Sequence, residues 1–103
     1  MILNREILAA ILPGVAHYVD IGKGDDAVIY YREDFSAFMR LPGATAVGGQ
    51  WEFLDNGYSV RWENGQGGHW HIDRANGFAL LDGEKVHRGS VVRMVPGNPE
   101  RFG

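Results

Sequence analysis

The sequence predicts a mainly β domain. It is an antiparallel meander of about seven or eight short strands, curled into a small or half-open barrel and preceded by one short helix. Three observations carry this. From residue 15 onward apolar residues recur with a period of two. Turn-forming pairs such as Asn56-Gly57, Asn76-Gly77 and Asp82-Gly83 divide the chain at roughly 8–12 residues. No helical pattern of crossover length alternates with the strands, which disfavours a parallel sheet. With 103 residues, 15 of them glycine, the chain fits one domain rich in turns.

The helix spans about residues 4–12. Asn4 suits its N-cap, and Glu6 places a negative charge in the first turn. Leu3, Ile7, Leu8, Ile11 and Leu12 form one apolar stripe, and Pro13-Gly14 ends it. So short a helix needs tertiary support, so its stripe is expected on a face or the open end of the sheet. Strands follow at 15–21 and 27–32, around the turn Gly22-Lys23-Gly24-Asp25-Asp26. Another runs from Phe35 to Leu41, stopped by Pro42-Gly43, and the next lies near 48–54.

Asn56-Gly57 is the strongest local signal, since Asn-Gly suits a type I′ hairpin turn. As a two-residue loop it sets Trp51 opposite Trp62, Glu52 opposite Arg61 and Phe53 opposite Val60. If Trp62 in turn faces Trp70, the three tryptophans form a row on one face. His71 then lies beside Arg61, and His69 beside Glu63, on the other face. Asn76-Gly77 begins the hairpin into Phe78–Leu81. Val86 to Val95 supplies the last strand or strand pair, with Gly89 marking a bulge. A loose tail is expected from residue 96.

Composition removes several function classes. Net charge is −3 with no basic stripe, so nucleic acid is not an expected partner. The absence of cysteine excludes disulfides, thiolate catalysis and Cys-ligated zinc. The first residues lack the pattern of a secretory signal, and no run reaches a membrane-spanning length, so a cytoplasmic location is expected. Several strands carry apolar groups on both faces: Val28 and Tyr30 against Ile29 and Tyr31, and Phe38 against Met39. One side would be the barrel interior. The other calls for the helix or a second subunit, and hence a homodimer.

The order of these signals resembles a group of small uncharacterised bacterial domains with a lipocalin-like build. The resemblance rests on Tyr30-Tyr31-Arg32-Glu33-Asp34, Gly49-Gln50-Trp51, Gly57-Tyr58-Ser59-Val60-Arg61-Trp62, Trp70-His71-Ile72 and Val95-Pro96-Gly97-Asn98-Pro99. It implies a calycin-like meander and a small apolar ligand, and it transfers no catalytic residue.

Two constellations point to chemistry. His69 and His71, two apart on a strand, project to the same face and offer two imidazoles to a metal. Asp73, Glu63, Glu52, His17 and His87 are the further ligands available. Arg61 beside His71 opposes a cation, and the plainer reading is two solvent-facing histidines flanking a buried Trp70. The other constellation is aromatic. His17 lies among Val15, Val19 and Ile21, on an apolar face. A pocket near His17, Tyr31 and Trp62, with Trp51, Tyr58 and Trp70 in its walls, would take a small apolar ligand. The tryptophans equally suit core packing. No serine-hydrolase elbow, P-loop or zinc-protease motif occurs, and no cofactor is named. Ligand binding in a barrel pocket is the leading expectation. The alternatives are an enzyme using His69 and His71, and a structural dimerisation module.

Overall fold

Asn4 does cap the first element. In the computed structural model, which describes every residue except Asn76, helix α1 spans Arg5–Ile11. The Asn4 side chain accepts the Ile7 N–H at 3.0 Å. Leu3, Leu8 and Leu12 are buried, whereas Ile7 is 38% exposed. The stripe is therefore narrower than expected, because two turns of helix present only one edge to the sheet.

Eight strands follow: β1 (Val15–Asp20), β2 (Ala27–Tyr31), β3 (Ser36–Arg40), β4 (Val47–Leu54), β5 (Gly57–Trp62), β6 (Gly67–Asp73), β7 (Phe78–Asp82) and β8 (His87–Pro96). Each pairs antiparallel with the next, and β8 returns to pair with β1, so the meander is a closed barrel. Closure leaves no strand edge unpaired. The expected Asn76-Gly77 turn falls partly outside the described residues; Gly77 itself has φ 99°.

Because the strands alternate in direction, the β2–β3, β4–β5 and β6–β7 connections share one end of the barrel with α1. The helix plugs that end. The Leu3 N–H donates to the Ile72 carbonyl at 2.8 Å, and the Arg5 N–H to the Asp55 carbonyl at 2.9 Å. Leu3, Leu8 and Leu12 share one apolar core with Tyr31, Trp51 and Ile72. The other end is open.

The β4–β5 register differs from expectation by two residues on one strand. Trp51 faces Val60, Glu52 faces Ser59, and Trp62 faces Gly49. The loop is Asp55-Asn56, and none of Asp55, Asn56 and Gly57 has positive φ. The reason lies in the barrel wall. A Cβ on Gly49 would come within 2.5 Å of the Arg61 carbonyl and 2.7 Å of the Trp62 ring. Setting a tryptophan against a glycine fits a tight interior better than setting it against Trp51. On the next strand Trp70 faces Tyr58 rather than Trp62. The tryptophans keep to one face, but they do not form a row.

β8 contains two register breaks. Between Leu80↔Gly89 and Leu81↔His87, Arg88 is left without a partner on β7. Between Tyr18↔Arg93 and Val19↔Val91, Val92 is left without one on β1. Both are β-bulges. Gly89, flagged by sequence, lies between them. A Cβ there would come within 2.8 Å of the Asp20 carbonyl.

The second apolar face is covered by the chain itself. Residues after Pro96, expected to be loose, fold back over the outside of β1, β2 and β3. Phe102 stacks on Phe38, with ring centroids 6.0 Å apart and planes 4° apart, and joins a cluster with Ala16, Tyr18, Val28 and Tyr30. The Asn98 side chain ties the loop, accepting the Phe102 N–H at 2.9 Å and donating to the Phe102 carbonyl at 2.7 Å. Glu100 accepts from Tyr18 Oη at 2.8 Å and pairs with Arg40. Arg40 holds the Glu100 carboxyl below its usual range, with Tyr18 assisting. Arg93 lies 4.1 Å above the Tyr18 ring. The tail, rather than a second subunit, covers this apolar face within the chain. Phe102→Ala is expected to cost about 2 kcal/mol, below the range for a fully enclosed phenylalanine. The midpoint of urea denaturation measures it; an unchanged midpoint would mean that the tail contributes nothing.

Candidate functional site

Period-two alternation sends one residue in two to the barrel interior. Toward the plugged end these side chains fill the space. Toward the open end they leave a cavity of about 110 Å³. Ile29, Val60, Trp62, Trp70 and Leu80 supply much of its wall. Tyr31, the last residue of β2, and Tyr58, near the start of β5, lie deepest and form its floor. Met39, Leu41, Trp62, Trp70 and Arg88 line both the cavity and the wider depression outside it, and Leu41 and Arg88, beside the β3–β4 and β7–β8 connections, mark the mouth. Among the described residues, Arg88 is the only charged one in the lining. It belongs to the β7–β8 bulge, and its Nε donates to Asp82 Oδ2 at 2.9 Å. Asp82 also accepts the Glu84 and Val86 N–H groups, so the turn that carries Arg88 is tied down. The Val86 and Glu84 N–H groups and Arg88 hold the Asp82 carboxyl below its usual range.

The floor is a bonded unit. Tyr31 Oη and Tyr58 Oη lie 2.8 Å apart, and their rings meet edge to face at 5.2 Å. Each residue is 1% exposed. Burial pushes both hydroxyls well above the ordinary phenol range. Both tyrosines are therefore uncharged at any ordinary pH.

Of the six residues expected around a pocket, Tyr31, Tyr58, Trp62 and Trp70 line this one. His17 and Trp51 do not; they lie beyond the floor, on the helix side. His17 Nε2 is 2.8 Å from the Ile11 carbonyl. A carbonyl only accepts, so Nε2 carries the proton and donates. That carbonyl belongs to the last turn of α1, where the helix itself provides no partner. The histidine thus caps the plug, with its ring edge on Tyr31 at 5.1 Å. Burial lowers its pKa to about 4, against the opposing pull of the Ile11 hydrogen bond. Trp51 Nε1 donates to the Arg32 carbonyl at 3.0 Å, and its ring meets Tyr31, Phe35 and Phe53. Both are packing residues that close the barrel below the cavity.

His69 and His71 fall on the outer face. His69 is exposed and pairs with Ser59, and His71 is half-buried. The expected neighbours, Glu63 and Arg61, are displaced because β6 slides along β5 until Gly67 faces Arg61. His71 Nδ1 lies 2.7 Å from the Asn56 carbonyl, to which it donates. Among the described residues no three His, Cys, Asp or Glu side chains gather where they could hold one metal ion.

Sequence reading missed Arg88 at the mouth. The only signal for it was Gly89, which marks the bulge without saying which neighbour it re-aims. Compared with protein-family models, curated proteins and solved structures, the chain matches none. No helix among the described residues is long and apolar enough to cross a membrane.

Proposed function

We propose that this protein binds a small, largely apolar molecule inside the barrel. The observation that carries this reading is the cavity between the tyrosine floor and the Arg88 mouth, walled by apolar and aromatic groups. The eight-stranded up-and-down closure is also the arrangement that the lipocalin-like resemblance implies. At about 110 Å³ the space suits a single ring or a short branched chain. For scale, an engineered apolar cavity of roughly 150 Å³ accepts benzene. A ligand of so few atoms has an affinity ceiling set by its size, so Kd values from about micromolar to millimolar are expected.

Titration of isotope-labelled protein with benzene and cyclohexane, followed by NMR, is the test. The indole N–H signals of Trp62 and Trp70 are expected to shift in a saturable way. Val60→Phe, which places a ring in the cavity, should abolish the shift while the barrel stays folded. Signals that do not move in the parent protein would end this reading.

A further inference from the structure

Each phenol carries one proton to donate and can also accept. The Tyr31–Tyr58 bond consumes one of the two protons. Among the described residues neither hydroxyl has another hydrogen-bond partner, so one O–H is left over. Around Tyr31, the other two side chains whose rings meet it spend their N–H groups elsewhere, His17 on the Ile11 carbonyl and Trp51 on the Arg32 carbonyl. Both tyrosines are buried from solvent and both line the cavity. A buried donor without an acceptor is unfavourable, and the cavity that both residues line is the space from which a ligand would supply one.

Resting on the binding role proposed above, we propose that the ligand is uncharged and carries one hydrogen-bond acceptor at its inner end. A ketone oxygen or a neutral ring nitrogen would take the surplus proton of the Tyr31–Tyr58 pair. The charge pattern agrees. Among the described residues no carboxylate lines the cavity, so a cation finds no counter-ion there. Arg88, the one cationic group among the described lining residues, sits at the mouth and is already held by Asp82. A carboxylate sent to the floor would lose its hydration in an apolar tube and meet only neutral donors. An uncharged acceptor satisfies the floor without that loss. Because both hydroxyls stay protonated, the donor is present across the working pH range.

Cyclohexanone and methylenecyclohexane test this, since they differ in shape only at C=O against C=CH2. Both are titrated into parent protein and into the Tyr31→Phe/Tyr58→Phe variant, and the Trp62 and Trp70 indole signals are read. Both tyrosines must change, because either one alone retains a donor. The double change also leaves no orphan group and keeps both rings. The preference for the ketone over the alkene is expected to fall on the order of tenfold in the variant. Alkene affinity is the baseline in each protein against which the ketone preference is read. In parent protein the carbonyl 13C signal of bound cyclohexanone should lie at its hydrogen-bonded position, a reading that needs no variant. An unchanged preference, an alkane-like carbonyl signal, or tighter binding of cyclohexanecarboxylate than of the ketone would each overturn the inference and leave the binding role standing. If none of these probes binds, both fall together.

Discussion

Gly57→Ala is expected to destabilise the barrel by about 3 kcal/mol or more, beyond the usual range for an added methyl group. The turn does not require glycine here, since Gly57 has no positive φ. The neighbouring strand does. A Cβ on Gly57 would overlap the Trp70 carbonyl oxygen and come within 2.9 Å of His71 Nδ1. The first obstacle is backbone, held in the β5–β6 ladder at Tyr58↔Trp70, and it cannot rotate aside. The second belongs to an imidazole tied to Asn56. Relief requires β5 and β6 to part beside the cavity floor. Gly68→Ala is the control. It lies on β6, also without positive φ, and has nothing within 4 Å of an added Cβ. It should be neutral, or stabilising by up to about 1 kcal/mol through the unfolded chain. Urea denaturation of the two variants gives the comparison. A Gly57→Ala loss under about 1 kcal/mol would contradict the tight strand approach, because such a loss is ordinary for any substitution.

Acid is expected to remove about 3 kcal/mol of stability between pH 7 and pH 4 through His17 alone. In the unfolded chain this imidazole takes up a proton near its ordinary value of 6.5; in the folded barrel it does so only near 4. Between those values the unfolded state binds more protons, so stability falls as pH falls. The contribution is complete above pH 6.5 and lost on approach to 4. The cause is burial: a charged ring would sit among Tyr31 and the α1 plug with no counter-ion. Charging it does not directly break the bond to Ile11, since Nε2 already donates. His17→Gln keeps an N–H for the Ile11 carbonyl and removes the titration. Its stability should depend much less on pH in that window than that of the parent. Parallel profiles for the two proteins would assign the acid sensitivity elsewhere.

What could be read from the chain follows from which forces are local. Asn4, the stripe Leu3-Leu8-Leu12 and the stop at Pro13-Gly14 act within a few residues, and α1 appears where they put it. Period-two alternation likewise assigns faces correctly: Trp51, Tyr58, Val60, Trp62 and Ile72 all point inward. Register is different. It depends on which side chain fits against which across two strands, and there Gly49, Gly57 and Gly67 act through the space they leave rather than through a turn. Asn56-Gly57 looked like a turn signal, yet its glycine serves the neighbouring strand. The tail was expected to be loose for a similar reason. Phe102 is unremarkable in sequence, and only folding brings it to Phe38 and Tyr18. Of the site, the aromatic lining was legible as an apolar face. The hydroxyl contact between Tyr31 and Tyr58 was not, because they are 27 positions apart and meet through the barrel interior.

Pairing of β1 with β8 has a kinetic meaning as well. Val15–Asp20 precedes the other strands along the chain, yet one of its two flanking ladders waits for Ser90–Pro96. Until then the growing chain is an incomplete sheet with two bare rims. The ring can snap shut only after nearly everything else is in place, and contacts so distant along the chain slow folding. Once shut, no strand can peel off without breaking two seams. Loss of structure is therefore expected as one cooperative event rather than as fraying from a border.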